Sequence, residues 1–229
     1  MSTVLPAGSA GKEEEEWLPL GPIVHLQVQT SPLKVPGDDD GLCYDPSPLR
    51  SVSQLWLSAD GVFALLPDGS RLLDVHHREH PRSRNRGGKN GVSLGFTAHY
   101  RAMRARFGEH LVDGCAGENV LIATEEPVRL EQLLNGLVIV GVETRRRVRL
   151  TRLRVATPCL EFTRFALGPE ALFASPPELK AALQFLDRGQ RGFYATCLAE
   201  EAIPIACGDQ VFALCSPDQG ETAGKAAAG

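Results

Sequence analysis

The chain has 229 residues, 43% of them hydrophobic and 23% charged, and a formal net charge of −4 at pH 7. This length and composition predict one globular domain rather than two, and no apolar run approaches the roughly eighteen residues that a membrane span needs. A sequence pI of about 5.9 argues against the broad basic face of a nucleic-acid-binding domain.

Both ends of the chain are poor in apolar residues. Residues 1–17 are small, polar and acidic and residues 217–229 are rich in Gly and Ala, so both are predicted to be disordered tails around a single domain at 18–216. The N-terminus lacks the basic start and apolar core of a secretory signal, which favours a cytoplasmic location. The six cysteines form no CxxC pair, so reduced thiols are expected rather than a disulfide framework.

Short strand patterns separated by turns predict a mainly β fold. They lie at 23–29, 53–57, 61–66, 119–123, 137–142, 148–155 and 211–215. Asp60-Gly61, Asp68-Gly69 and Asn135-Gly136 fit tight turns between strands. The proline-rich segment 31–50 is predicted to be a loop.

Two helices are predicted between the strands. The first covers 96–107, where Phe96, Tyr100 and Met103 share one face. The second covers 176–188. It is preceded by Ser175, which forms a capping-box pattern with Glu178. Prolines in its first turn and Gly189 after its end complete the helix signals.

The strand pattern at 148–155 contains a break in its alternation. Its apolar residues begin on even positions and finish on odd ones, which a regular strand of period two cannot accommodate. A bulge near Thr151 or Arg152 explains the change. Such a bulge would re-aim Arg152 or Arg154, and bulges are over-represented beside active sites.

Basic residues are concentrated in two segments although the whole chain is acidic. Eight Lys or Arg lie within 78–106 and seven Arg within 143–164, which together hold 15 of the 24 basic residues. This segregation favours a local site for an anionic ligand. The alternative is a solvated strand face whose arginine stems cover apolar surface.

Cys159 is the cysteine whose sequence context favours chemistry. Pro158 before it has no N–H and ends strand pairing, so the thiol lies where the chain leaves the sheet. Arginines at 152, 154 and 164 would favour the thiolate, the form that attacks sulfur or binds metal. A buried structural thiol is the alternative, because free cysteines usually behave as small hydrophobes.

The segment 108–120 is a second candidate. Glycines at 108, 114 and 117 let the backbone approach a ligand closely, and Glu118-Asn119 offers an acceptor and an amide at the start of a strand. Turn chemistry explains this segment equally well.

The run HHREH matches the HxxEH arrangement of inverted zinc proteases, with His76, Glu79 and His80 as candidate residues. Pro81 stops any helix at once and no distal ligand is evident, so a zinc hydrolase is the less favoured interpretation. The continuation at 81–91 is more typical of an anion-contacting loop, since arginine forks and glycine amides both suit phosphate.

In order and in kind, these pieces resemble the MOSC domain, the module found at the C-terminus of molybdenum cofactor sulfurases and in small stand-alone proteins. The matching pieces are His76-His77 with the basic loop and Gly91-Val92-Ser93-Leu94, then Gly117-Glu118-Asn119, the strand from Arg152 to Cys159, and the closing segments Gly189 to Tyr194 and Gly208 to Val211. The resemblance covers about 70–215. It departs from the family pattern at Leu73-Asp74-Val75, where a glycine-aspartate is usual, and in the length of the basic loop.

The resemblance implies a MOSC-like β-barrel with a few short α-helices, and gives Cys159 the role of carrying sulfur as a persulfide or of coordinating molybdenum. The implied cofactor is the molybdenum cofactor (molybdopterin), whose pterin phosphate is held by basic residues. The implied contacts to it are Arg82, Arg84, Arg86, Ser93, Gly117, Glu118, Asn119, Arg152 and Arg154.

Two functions follow as expectations. One is a molybdenum-dependent reductase of N-oxygenated small molecules, as known for some family members, which would need a separate electron-donor protein. The other is a non-catalytic carrier of persulfide sulfur, or a cofactor-binding module, with a sulfane sulfur donor as its partner. Neither nucleic acid nor a membrane is expected as a partner.

Overall fold

The computed structural model describes residues 16–37 and 41–215. The predicted tail 217–229 and most of the predicted tail 1–17 lie outside these residues. The described strands are β1 (Trp17–Gln29), β2 (Lys34–Pro36), β3 (Leu42–Tyr44), β4 (Leu49–Ser51), β5 (Gln54–Ser58), β6 (Gly61–Leu65), β7 (Arg71–Leu73), β8 (Val92–Phe96), β9 (Val120–Ile122), β10 (Leu137–Val140), β11 (Arg147–Val155), β12 (Phe193–Cys197), β13 (Ile203–Ala206) and β14 (Gln210–Leu214). The helices are α1 (Thr97–Phe107), α2 (Leu160–Leu167) and α3 (Pro176–Leu186), with 3-10 turns at Leu130–Leu133 and Gly168–Leu172. In the described ranges, every helix is too short or too polar to cross a bilayer.

Seven strands close into a barrel in the order β14, β10, β11, β12, β8, β9 and β1, and the pairing of β14 with β1 completes the ring. Within this ring β8 and β9 run parallel, and the other neighbouring pairs are antiparallel. Closure removes the free edges that an open sheet would present. The predicted mainly β barrel with short helices is confirmed.

Two smaller sheets accompany the barrel. β13, β5, β6 and β7 form one of them, and β2 pairs with β3 in a hairpin. β4 extends the barrel sheet beyond β1. The predicted loop at 31–50 is therefore wrong in part, because it contains this hairpin and β4. The hairpin forms because Tyr44 of β3 buries its ring against Phe162 of α2, with ring centroids 5.0 Å apart.

Side chains from every barrel strand fill the interior of the barrel. Leu26, Leu94, Val120, Leu150 and Phe193 are examples, and each is at most 1% exposed. A second apolar cluster lies outside the barrel and joins α1, α2 and α3 to the hairpin. It is built from Leu33, Tyr44, Tyr100, Met103, Leu111, Cys115, Ala116, Leu121, Phe162, Ala166 and Leu186. Cys159 packs against the edge of this second cluster.

The predicted bulge in β11 is confirmed. The register of β11 against β12 shifts between Thr151 and Arg154. Arg152 lies in this interval with a φ of 51°, in the left-handed region that residues other than glycine rarely occupy. The bulge changes the alternation of side chains, so that Leu153 is buried where a regular strand would have exposed it.

Both predicted helices are confirmed, with small changes of boundary. α1 begins one residue later than predicted, and α3 ends two residues earlier, at Leu186. The backbone N–H of Ser175 donates to Glu178 Oε2 at 2.8 Å, as the capping-box pattern requires. Gly189 has a φ of 93° in the turn after α3. α2 was not predicted, and it positions the candidate site around Cys159.

Candidate functional site

Cys159 lies in the connection between β11 and α2, at the N-cap of the helix. Its Sγ accepts a hydrogen bond from the backbone N–H of Phe162 at 3.5 Å. Its carbonyl accepts from Thr163 Oγ1 at 2.8 Å. The thiol is half-buried, whereas Cys115 and Cys197 are buried. Cys159 therefore combines a fixed position with access to solvent.

An ion pair lies beside this thiol. Lys34 Nζ of β2 is 2.7 Å from Glu161 Oε2 of α2, and both side chains interact with Cys159. Although burial alone would raise it, the hydrogen bond from Lys34, with smaller contributions from the Glu161 backbone and from Cys159, lowers the pKa of Glu161 to about 2. Glu161 is thus a carboxylate at neutral pH. We call Cys159, Lys34 and Glu161 the rim of the site.

Arg191 brings a second cation to the rim. Its guanidinium lies over the ring of Phe162, 5.0 Å from the centroid, and donates to the carbonyl of Thr157 at 3.2 Å. Its Nε is buried without a hydrogen-bond partner among the described residues. Burial opposes the charge, but Tyr44, Tyr194 and Cys159 interact with the guanidinium and raise the pKa of Arg191. Sequence reasoning gave this arginine no role, although it lies between two glycines in the closing motif that carried the resemblance.

A buried polar network links Asn119 to Ser93 and Asp74. Asn119 Oδ1 accepts from the backbone N–H of Ser93 at 3.0 Å and from Ser93 Oγ at 2.9 Å. Its Nδ2 donates to Asp74 Oδ2 at 2.7 Å. Asp74 is fully buried and also accepts from the backbone N–H of Gln29 and from the backbone and Nδ1 of His76. We call Ser93, Asp74, His76, Glu118 and Asn119 the floor of the site.

The carboxylate of Asp74 is stabilised as an anion in spite of its burial. Burial would raise its pKa, but the hydrogen bonds and charge of His76, with the N–H of Gln29, lower the pKa of Asp74. A carboxylate that accepts several N–H bonds keeps its charge in a dry environment. Asp74 therefore holds the side chains of both Asn119 and His76 in place.

Glu118 and Gly117 form a close-packed turn beneath the network. Burial raises the pKa of Glu118 to about 7. Its Oε2 accepts from Tyr100 Oη at 3.0 Å, and Oε1 has no partner among the described residues. Gly117 has a φ of 91°, and a Cβ there would lie 2.7 Å from Leu33 Cδ1. The positive φ disfavours any residue other than glycine here, and the turn ends just before Asn119 and the start of β9 at Val120.

Arg154 and Tyr194 connect the floor to the surface. The Arg154 guanidinium lies 5.9 Å from the centroid of the Tyr194 ring, and the ring of His76 lies 5.7 Å from the same centroid. Tyr194 pairs with Arg154 on one side and with Ser93 on the other. The bulge in β11 precedes this pairing, so it sets which face of the strand Arg154 occupies. Arg152 itself is exposed.

The predicted anion loop at 81–91 is a series of turns beside His76. Asn85 anchors it, donating from Nδ2 to the carbonyl of His76 at 3.0 Å. Arg82, Arg84 and Arg86 are exposed, and Arg86 Nη1 donates back to the carbonyl of Arg78 at 2.9 Å. The loop thus presents guanidinium groups to solvent next to the floor.

The residues of the zinc interpretation do not come together. Their segment forms turns rather than the helix that the HxxEH arrangement needs. His76 Nδ1 pairs with Asp74, Glu79 pairs with Arg71, and His80 Nε2 is 3.2 Å from the carbonyl of Thr30. Across the part of the chain that the structure describes, no group of three or more His, Cys, Asp or Glu could hold a metal ion.

The barrel and its helices make up a MOSC-like fold. The solved structure of YuaD from Bacillus subtilis matches it with a TM-score of 0.50 and 13% identity, over 86% of this chain and 97% of that one. YiiM from Escherichia coli matches with a TM-score of 0.43 and 15% identity, over 73% of this chain and 65% of that one. At 13% identity the likeness to YuaD shows the fold alone. No protein-family model and no curated protein matches the chain.

Proposed function

We propose that this MOSC-like protein carries sulfur or binds the molybdenum cofactor through Cys159. The observation that supports the proposal is the half-exposed thiol at the N-cap of α2, with Lys34, Glu161 and Arg191 around it. Reactive cysteines occupy partly exposed, electropositive surroundings of this kind.

The two buried cysteines, Cys115 and Cys197, are less suited to this chemistry than Cys159. Burial raises the pKa of Cys115 to about 12, and burial likewise raises the pKa of Cys197. A thiol that stays protonated and enclosed reacts slowly, because the thiolate is the nucleophile and must be reached by its partner. The contrast favours Cys159 as the functional thiol.

Sulfur transfer is the version that the described residues support most directly. The Lys34 ammonium interacts with the thiol, so an incoming anionic sulfur would find a counter-charge already in position. The product would be a persulfide on Cys159, carried at the edge of the barrel where an acceptor could reach it.

Molybdenum cofactor binding is the second candidate, and the residues present fit that group. A thiolate is a soft ligand of the kind that such metals accept. The Nε of Arg191 has no hydrogen-bond partner among the described residues, and the exposed Arg154 lies over Tyr194, so these two guanidinium groups could donate to an anionic pterin. The bound metal would supply the redox chemistry, and Asp74 would hold the side chains of His76 and Asn119 in place. A reductase of this type would also need electrons from a separate protein.

Mass spectrometry of the intact native protein, combined with molybdenum analysis, tests the proposal. A reducible mass increase of about 32 Da, one sulfur atom, on Cys159 is expected for the carrier. Stoichiometric molybdenum would favour the cofactor version. In either case Cys159→Ser must abolish the signal, whereas Cys207→Ser, at an exposed position, must retain it. Equal sulfur and molybdenum contents in the wild-type and Cys159→Ser proteins would refute the role of this thiol.

A further inference from the structure

Lys34 is the member of the rim that lies outside the region of family resemblance. It belongs to β2, in a segment that the sequence predicts to be a loop, yet its ammonium group lies 2.7 Å from Glu161 and interacts with Cys159. Its position therefore depends on how the hairpin packs against α2.

The fold fixes the hairpin firmly at this point. Lys34 pairs with Tyr44 across the hairpin. The Tyr44 ring packs against Phe162 and Phe165 of α2, with centroids 5.0 and 5.1 Å apart. Tyr44 Oη donates to the carbonyl of Cys115 at 2.8 Å. The buried Tyr44 therefore fixes the position of the strand that carries Lys34, and the ion pair with Glu161 fixes its ammonium group.

The charges around the thiol are not balanced. Lys34 and Arg191 are cations and Glu161 is a carboxylate. Glu118 also interacts with Arg191, but burial raises its pKa to about 7 and so opposes its negative charge, which leaves an excess of positive charge beside Cys159. The N-terminus of α2 adds the partial positive charge of its free N–H groups. An anion approaching Cys159 meets a more favourable potential than a neutral molecule of the same size.

We propose that Lys34, held in place by Glu161, makes Cys159 selective for anionic sulfur compounds, so that the sulfur donor is a sulfane anion such as a persulfide or a thiosulfonate. This inference rests on the proposed sulfur-carrying function and adds the residue that selects sulfane donors by their charge. Lys34 is a specificity-determining residue, because it lies where negative charge accumulates when an anionic donor meets the thiolate.

The transfer balances without a further oxidant. The Cys159 thiolate attacks the outer sulfur of the donor, and a bond forms between Sγ and that sulfur. The S–S bond to the rest of the donor breaks, and its electron pair leaves with the departing group. With thiosulfate the departing group is sulfite, and the anionic persulfide remains on Cys159 beside the Lys34 ammonium.

Two alkylating reagents that differ in charge test the selectivity directly. The rates of modification of Cys159 by anionic iodoacetate and by neutral iodoacetamide are measured at peptide level, so that the exposed Cys207 serves as an internal reference. Lys34→Gln is expected to lower the iodoacetate-to-iodoacetamide rate ratio at Cys159 by about three- to tenfold, the size of one unit-charge contact at about 4 Å that is screened by water. The ratio at Cys207 should stay unchanged.

Two control variants separate charge from structure. Lys34→Arg keeps the cation and should retain the wild-type ratio. Lys180→Gln removes the same charge from an exposed position on α3 and should also leave the ratio unchanged. Added salt should lower the wild-type ratio toward that of Lys34→Gln, because screening weakens an exposed charge. Equal ratios in the wild-type and Lys34→Gln proteins would overturn the inference.

Thiosulfate as the probe distinguishes failure of this inference from failure of the proposed function. Sulfite release and sulfur on Cys159 are expected in the wild type and, at a several-fold lower rate, in Lys34→Gln. If both proteins take up sulfur at the same rate, the role of Lys34 is wrong while the carrier function stands. If the wild type takes up no sulfur from thiosulfate or from a small-molecule persulfide, the carrier function fails and so does the donor class.

Discussion

The floor and the rim use polar residues in opposite ways. In the floor, Asp74 and Asn119 are at most 1% exposed and their side chains are bonded to other parts of the protein. In the rim, the Lys34 side chain is 44% exposed and the thiol of Cys159 is half-buried. Removal of a buried hydrogen-bond partner leaves the groups that bonded to it unsatisfied, whereas water can replace an exposed partner. The difference predicts that floor variants lose stability and rim variants lose reactivity.

Asp74→Ala should give the largest effect on stability. It leaves the N–H of Gln29, the Nδ2 of Asn119 and the N–H groups of His76 without their shared acceptor. Breaking a buried, charge-assisted network of this kind costs about 3–5 kcal/mol of unfolding free energy. Urea denaturation of the purified protein measures the loss.

Asp68→Ala is the matched control for this change. Asp68 also accepts two hydrogen bonds, both from Ser70, but it does so at the surface. Its loss should cost far less than that of Asp74, since water replaces the lost acceptor. Similar losses for the two variants would break the comparison between buried and exposed carboxylates.

Glu118→Gln tests the member of the floor that has one carboxylate oxygen without a partner among the described residues. With a folded-state pKa raised from 4.5 to about 7, Glu118 binds its proton more tightly in the folded protein than in the unfolded chain. Its contribution to stability is therefore fully present below pH 4.5 and is lost as the pH rises to about 7. The loss is on the order of 3 kcal/mol.

Glutamine cannot titrate, so the unfolding free energy of Glu118→Gln should fall less than that of the wild type between pH 4.5 and pH 7. Urea denaturation at several pH values measures both curves. If the unfolding free energies of both proteins changed with pH in the same way, Glu118 would be solvated well enough to ionise normally. Water would then reach the floor in spite of its burial.

Local patterns in the sequence predicted the features that depend on neighbouring residues. The break in alternation at 148–155 identified the bulge, and Ser175 with Glu178 identified the start of α3. Both depend on strand periodicity or on capping chemistry, which act over a few residues. The resemblance likewise led to the MOSC-like barrel.

Contacts between distant segments could not be predicted in the same way. Lys34 reaches Glu161 because Tyr44 packs on Phe162, a contact between segments more than a hundred residues apart in sequence. Arg191 was missed for a related reason, since its role depends on Phe162 and Thr157 from another part of the chain. The segment 31–50 was assigned as a loop from its prolines, and the packing of Tyr44 outweighs that local signal.

Lys34→Gln should give the smallest effect on stability and so completes the comparison. The Lys34 side chain is 44% exposed and the Glu161 side chain 15% exposed, so solvent reaches this ion pair from the lysine side. A pair that solvent screens contributes about 0–1 kcal/mol, because two long side chains must also be ordered to form it. The Lys34 end of this pair is exposed, and the hairpin is held by Tyr44 rather than by the lysine. Urea denaturation should therefore give an unfolding free energy within about 1 kcal/mol of the wild type, even where the reaction of Cys159 with anions has slowed several-fold. A loss as large as that of Asp74→Ala would place Lys34 among the structural residues, and the division between floor and rim would fail.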